Sequence, residues 1–96
     1  MNLQAFKDTL KDQAPPADLS LALQSMWQDA QQNWDVAHKL AQDDTSRDGS
    51  WVHAYLHRVE GDLSNAAYWY NRAERPVCDD PLETEWDAIV SELLTR

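Results

Sequence analysis

His53 and His57 stand four residues apart, and Glu60 follows three residues later. On an α-helix the three fall within about 60° of one another. Imidazoles one turn apart can share a metal ion, and a carboxylate can add an oxygen ligand. His38, on a preceding helix, would extend the set if the two helices pack side by side. The chemistry implied is the binding of a zinc-like divalent metal. Ala54 follows His53, so the His-Glu-x-x-His pattern that supplies a hydrolytic base is absent. A plainer reading carries more weight from sequence alone: His57 hydrogen-bonds Glu60, and His53 fills a half-buried boundary.

Other reactive side chains form no constellation. The serines at 20, 25, 46, 50, 64 and 91 show no strained nucleophile turn, and Cys78 has no base nearby in sequence. Asp79 and Asp80 beside Cys78 should keep its thiol protonated. No catalytic residue is identified, and the chain reads as a protein other than an enzyme. Arg58, Arg72 and Arg75 gather positive charge, and Arg72 and Arg75 share a helix face. They could grip a carboxylate or phosphate by bidentate hydrogen bonds, although pairing with the abundant acids is the simpler expectation. Trp51 lies roughly 90° from the centre of its helix's apolar stripe, where it could cover the core edge or meet a partner. Trp27, Trp34, Trp69 and Trp86 fall on core stripes.

These residues are positioned by helices. Leu3, Phe6 and Leu10 form a short stripe ending at Pro15-Pro16. Leu19, Ala22, Leu23, Met26, Trp27 and Ala30 follow the spacing of one helical face behind Asp18 as cap. Asn33 can cap a third helix with Trp34, Ala37, Leu40 and Ala41, and the polar run Gln42–Gly49 reads as helix end and loop. A fourth helix spans about Ser50 to Glu60, closed by Gly61 in the left-handed position. Asp62 caps the fifth, which carries Leu63, Ala66, Trp69, Tyr70 and Ala73. The sixth starts at Asp80 with Pro81 in its first turn, then Trp86, Ile89, Val90, Leu93 and Leu94. No window alternates with period two. The expected fold is all-α, a compact bundle of five to six helices in one domain over 1–96. Its parts are an N-terminal helix (1–14), two hairpins (18–45 and 49–75) and a C-terminal helix (80–95).

The hairpins share a plan. Ala22 aligns with Trp51 at an offset of 29, and eight further apolar positions through Ala41 and Tyr70 then coincide. The segment Gly61-Asp62-Leu63-Ser64-Asn65-Ala66-Ala67-Tyr68-Trp69-Tyr70-Asn71-Arg72-Ala73, with Ala54 before it, resembles the latter part of a tetratricopeptide repeat. The resemblance covers residues 47–76 well and 18–45 weakly. The offset of 29 is shorter than the family's roughly 34, and two repeats are fewer than the three a solenoid needs. His53–Asp62 is also similar to small bacterial helical proteins, which adds no chemistry. The resemblance implies that Ala54 and Ala66 let two helices approach closely, with Ser25 and Ala37 doing the same in the first hairpin. It also implies a binding face along the first helix of each hairpin. That face would carry Leu19, Ala22, Met26, Asp29 and Ala30, then Asp48, Trp51, Tyr55, Arg58 and Val59. It is too apolar for a carboxylate clamp and needs a cover, expected to be the C-terminal helix.

Across its 96 residues the chain has 17 acids against 8 Lys and Arg, a net charge of −9, which disfavours nucleic acid and anionic membranes as partners. Two glycines exclude phosphate-binding loops. One cysteine excludes an internal disulfide and multi-cysteine metal sites, and points to a reducing, cytoplasmic setting. The first residues lack the pattern of a secretory signal. The leading functional expectation is a module that binds a protein partner or a second copy of itself. The alternative is a small metal- or ligand-binding protein using His53, His57, Glu60 and His38. No other cofactor is expected.

Overall fold

The computed structural model describes residues 1–96. Local signals account for most helix starts. In α1 (Leu3–Asp8) the Asn2 side chain accepts from the Ala5 amide at 2.8 Å. In α2 (Leu21–Ala30) the Ser20 hydroxyl accepts from Leu23 at 3.2 Å. In α4 (Arg47–Val59) Ser46 accepts from Gly49, and in α5 (Leu63–Arg72) Asp62 accepts from Asn65. Each satisfies an amide that a helix start leaves without a partner. α3 (Trp34–Asp43) and α6 (Leu82–Leu93) start without a side-chain cap. A single 3₁₀ turn, Thr9–Lys11, follows α1.

Three expected boundaries move. Asp18 does not cap α2; it sits in a loop at φ 69°, and Ser20 takes the cap. α4 begins at Arg47 rather than Ser50, which shortens the expected loop and places Gly49 inside the helix. A Cβ on Gly49 would lie 2.0 Å from the Asp44 carbonyl oxygen, so only glycine permits this close approach. Pro81, not Asp80, holds the cap position of α6. The helix ends are regular. Gln32, Gly61 and Glu74 take positive φ after α2, α4 and α5, and the next amide in each case bonds back to Gln28, His57 or Tyr70.

The helices form an all-α bundle with no strand. α2 packs on α3 and α4 on α5, and α3 and α4 join the two pairs. α6 then lies against both α2 and α4, and α1 packs on α6. The Trp86 indole donates to the Met26 carbonyl at 3.2 Å, and the Phe6 ring sits 5.9 Å from it. Ala54 and Ala66 are buried, and Ser25 donates to the Ala37 carbonyl at 2.8 Å. No helix is long and apolar enough to cross a membrane.

Candidate histidine site

α4 is buried over nine consecutive residues, Gly49 to His57, because α2, α3, α5 and α6 surround it. Its histidines therefore point into protein rather than solvent. His53 is 3% exposed and His57 6%. Packing of α3 on α4 brings His38 to them, so all three histidines of the chain meet. One ring nitrogen of each lies within 4.8 Å of those of the others. His38 Nε2 and His53 Nε2 are 3.0 Å apart, a hydrogen bond in which one ring donates and the other accepts.

Glu60 stands behind His57 rather than beside the other rings. Its Oε1 is 2.6 Å from His57 Nδ1. That contact holds the His57 ring and leaves Nε2 as the nitrogen free to coordinate. The sequence expected Glu60 as an oxygen ligand. The geometry gives it a supporting position, and His57, Glu60 and Asp62 form a second, more exposed group at the same end of α4.

Two indoles wall the cluster. The Trp34 ring stacks on His38 at 4.7 Å and meets the edge of His57 at 6.0 Å, while its Nε1 donates to the Leu56 carbonyl at 2.8 Å. Trp69 stacks on His53 at 3.8 Å. Sequence reasoning assigned both indoles to the core; each is partly buried and packs on imidazole. Burial, joined by the neighbouring imidazoles, pushes His53 down to about 4. Burial and His57 also lower His38, against a pull from Glu60 and Asp35. Neutral imidazole is the form that binds metal.

The arginines divide. Arg58 donates to Glu85 at 2.8 Å and to the Asp80 carbonyl, and Tyr70 donates to the same carboxylate at 2.5 Å. Arg75 pairs with Glu92 and lies 3.7 Å over the Trp51 ring. Trp51 is thereby 7% exposed and covers the core edge. Arg72 alone among the three has no acid partner. It donates to the Tyr68 hydroxyl at 3.1 Å and lies over the Trp69 ring at 5.3 Å. With His53, Trp69, Asp44 and Thr45 it lines a cleft of about 260 Å³ beside the histidines. Cys78 is partly buried, and burial is the main cause that raises its thiol, ahead of Glu85 and Asp80.

Comparison of the chain with protein-family models, with curated proteins and with solved structures gives no match.

Proposed function

We propose that this chain is a small helical metal-binding protein that holds a zinc-like divalent ion through His38, His53 and His57. The observation that carries the reading is the meeting of all three histidines, from two helices, within 4.8 Å. Imidazole nitrogens sharing a tetrahedral zinc at 2.0–2.1 Å lie about 3.3 Å apart. The present spacings, 3.0 Å for the closest pair and at most 4.8 Å, bracket that value, so side-chain shifts of about an ångström close the set. Glu60 supports the reading as the carboxylate that orients His57, a recurring partner of metal-bound imidazole. Three protein ligands leave a fourth position for water or an added molecule, and the cleft beside His53 gives it access to solvent.

The interaction-module reading has less support, because α6 packs on α2 and α4, with Trp86 bonded to Met26 and Glu85 to Arg58, residues of the face that a partner would have used. The tetratricopeptide-like plan of α4 and α5 stays our reading of how that hairpin is built, supported by the buried Ala54 and Ala66.

Zinc titration by calorimetry on the metal-free protein tests the assignment. One ion per chain is expected, with at least ~10-fold weaker binding by His38→Ala, and ~10-fold or more loss for Glu60→Gln. Equal, weak binding by wild type and by both variants refutes it. His38 is only partly buried, so its variant keeps the fold.

A further inference from the structure

On the other side of α4, a cleft of about 420 Å³ opens between α1, α2, α4 and α6. That volume is within the usual range for small-molecule sites. Leu10, Leu82 and the rings of Tyr55 and Trp86 give it a largely apolar lining. Two polar groups in this lining have no partner. The Asp29 carboxylate takes part in no hydrogen bond or ion pair of the chain, and the cleft's one lysine, Lys7, is held 3.0 Å from Asp87 instead. Tyr55 is 4% exposed, yet its hydroxyl bonds to nothing in the protein. Every fully buried side-chain polar atom is paired, so this hydroxyl opens into the cleft.

A partly buried carboxylate without a protein partner, beside a hydroxyl whose access is through the same apolar cleft, leaves both groups to be satisfied by whatever occupies that cleft. Their needs are complementary to one kind of group. The carboxylate accepts hydrogen bonds and attracts positive charge, the phenol oxygen can accept as well, and aromatic faces attract cations. Glu83 and Asp87 at the rim leave the lining net negative even after Lys7 is counted. We propose that this cleft binds a small hydrophobic organic cation, an alkylammonium, whose charged head pairs with Asp29 and donates to the Tyr55 hydroxyl while its chain lies against Leu10, Leu82 and Trp86. The site is independent of the metal reading. Tyr55 stands two residues from both His53 and His57, about 200° around α4.

The test is a titration of the full chain with n-hexylammonium and with neutral 1-hexanol. Amide and indole chemical shifts are followed at pH 7.5 with a chelator present. Saturable shifts at Tyr55, Trp86 and their neighbours are expected, with hexanol at least ~10-fold weaker. Asp29→Asn should weaken hexylammonium by ~10-fold or more and leave hexanol unchanged, because only the charge is lost. Tyr55→Phe should weaken hexylammonium severalfold. Neither substitution removes a hydrogen bond of the chain, so both variants keep the fold. Equal affinity for the amine and the alcohol, wild-type affinity in Asp29→Asn, or shifts that do not saturate would each overturn the proposal.

Discussion

Asp29 is charged at neutral pH in the folded protein, but at a cost that its surroundings set. Burial pushes its carboxyl up to about 6, from 3.8 in the unfolded chain. Between those two values the folded protein keeps a proton that the unfolded chain has lost. Stability therefore falls as pH rises through that window and stays lower above it. The gap from 3.8 to about 6 corresponds to about 3 kcal/mol. Asp29 is only partly buried, and solvent screening reduces this to about 1–2 kcal/mol. Asp29→Asn keeps the shape and removes the charge. At pH 7.5 it should stabilise the protein by about 1–2 kcal/mol, and at pH 4 by close to nothing, because Asp29 is then protonated in the fold.

His53 provides the opposing slope. Its folded value of about 4 lies below the ordinary 6.5, so the unfolded chain binds more protons between those limits. Stability due to His53 therefore rises with pH across that window, and the lowered His38 acts in the same direction. In the wild type the two effects oppose each other between about pH 4 and 6, which flattens the profile. Removing the Asp29 charge exposes the histidine slope. The assay is urea unfolding followed by tryptophan fluorescence, in chelator, from pH 4 to 7.5. With a slope of ~1 kcal/mol per molar for a chain of this size, the Asp29→Asn midpoint should exceed wild type by ~1–2 M at pH 7.5 and coincide with it at pH 4. A gain of equal size at both pH values would show that Asp29 is solvated in the fold as it is in the unfolded chain.

Ala66 is 2% exposed on α5, which packs against α4, so Ala66→Leu should force those helices apart at a cost of ~1–3 kcal/mol. Thermal unfolding by circular dichroism checks this, and an unchanged melting temperature would place the α4–α5 contact elsewhere. Glu85 is 4% exposed and accepts from both Arg58 and Tyr70, tying α6 to α4 and α5. Glu85→Ala leaves the partly buried Arg58 without its carboxylate and the buried Tyr70 hydroxyl without its acceptor, and should cost ~3–5 kcal/mol in chemical denaturation; a loss below ~1 kcal/mol would mean that water replaces the carboxylate.

Helices with an apolar stripe were readable because the stripe reports only which side of each helix is dry. Met26, Ala37, Leu56, Tyr70, Ile89 and Val90 are all buried as that period requires. The starts were less readable. Asp18 and Ser20 are both good capping residues, and only tertiary packing selects between them. Gly49 looked like a loop glycine, yet it belongs to α4 because the Asp44 carbonyl occupies the space of its Cβ. The pair His53 and His57 was visible from spacing. The position of His38 was conditional on how α3 crosses α4, a long-range fact that no local period contains. Trp34 and Trp69 have the spacing of core residues, and their stacking on imidazole depends on that same crossing. Asp29 and Tyr55 belong to the face that the sequence expects the C-terminal helix to cover. Closing that face with α6 left them in the cleft, so their significance depends on the cover.

Both proposed sites follow from the burial of α4. A helix surrounded on all sides is most stable when its side chains are apolar. Ser50, His53, Tyr55 and His57 interrupt that rule within one buried stretch. On the α3 and α5 side the polar groups are reconciled by pairing: His53 with His38, His57 with Glu60, and indoles stacked outside them. On the α2 and α6 side the pairing is incomplete, since neither the Tyr55 hydroxyl nor the Asp29 carboxylate finds a donor. Apolar residues of similar volume would serve packing better at each position, with no desolvation of polar groups to offset. Departures from the most stable choice concentrate where a protein uses its side chains for something besides folding. That is the physical ground for reading the histidine cluster as a place for a metal ion and the cleft as a place for an organic cation. Each supplies the charge that its side of α4 lacks.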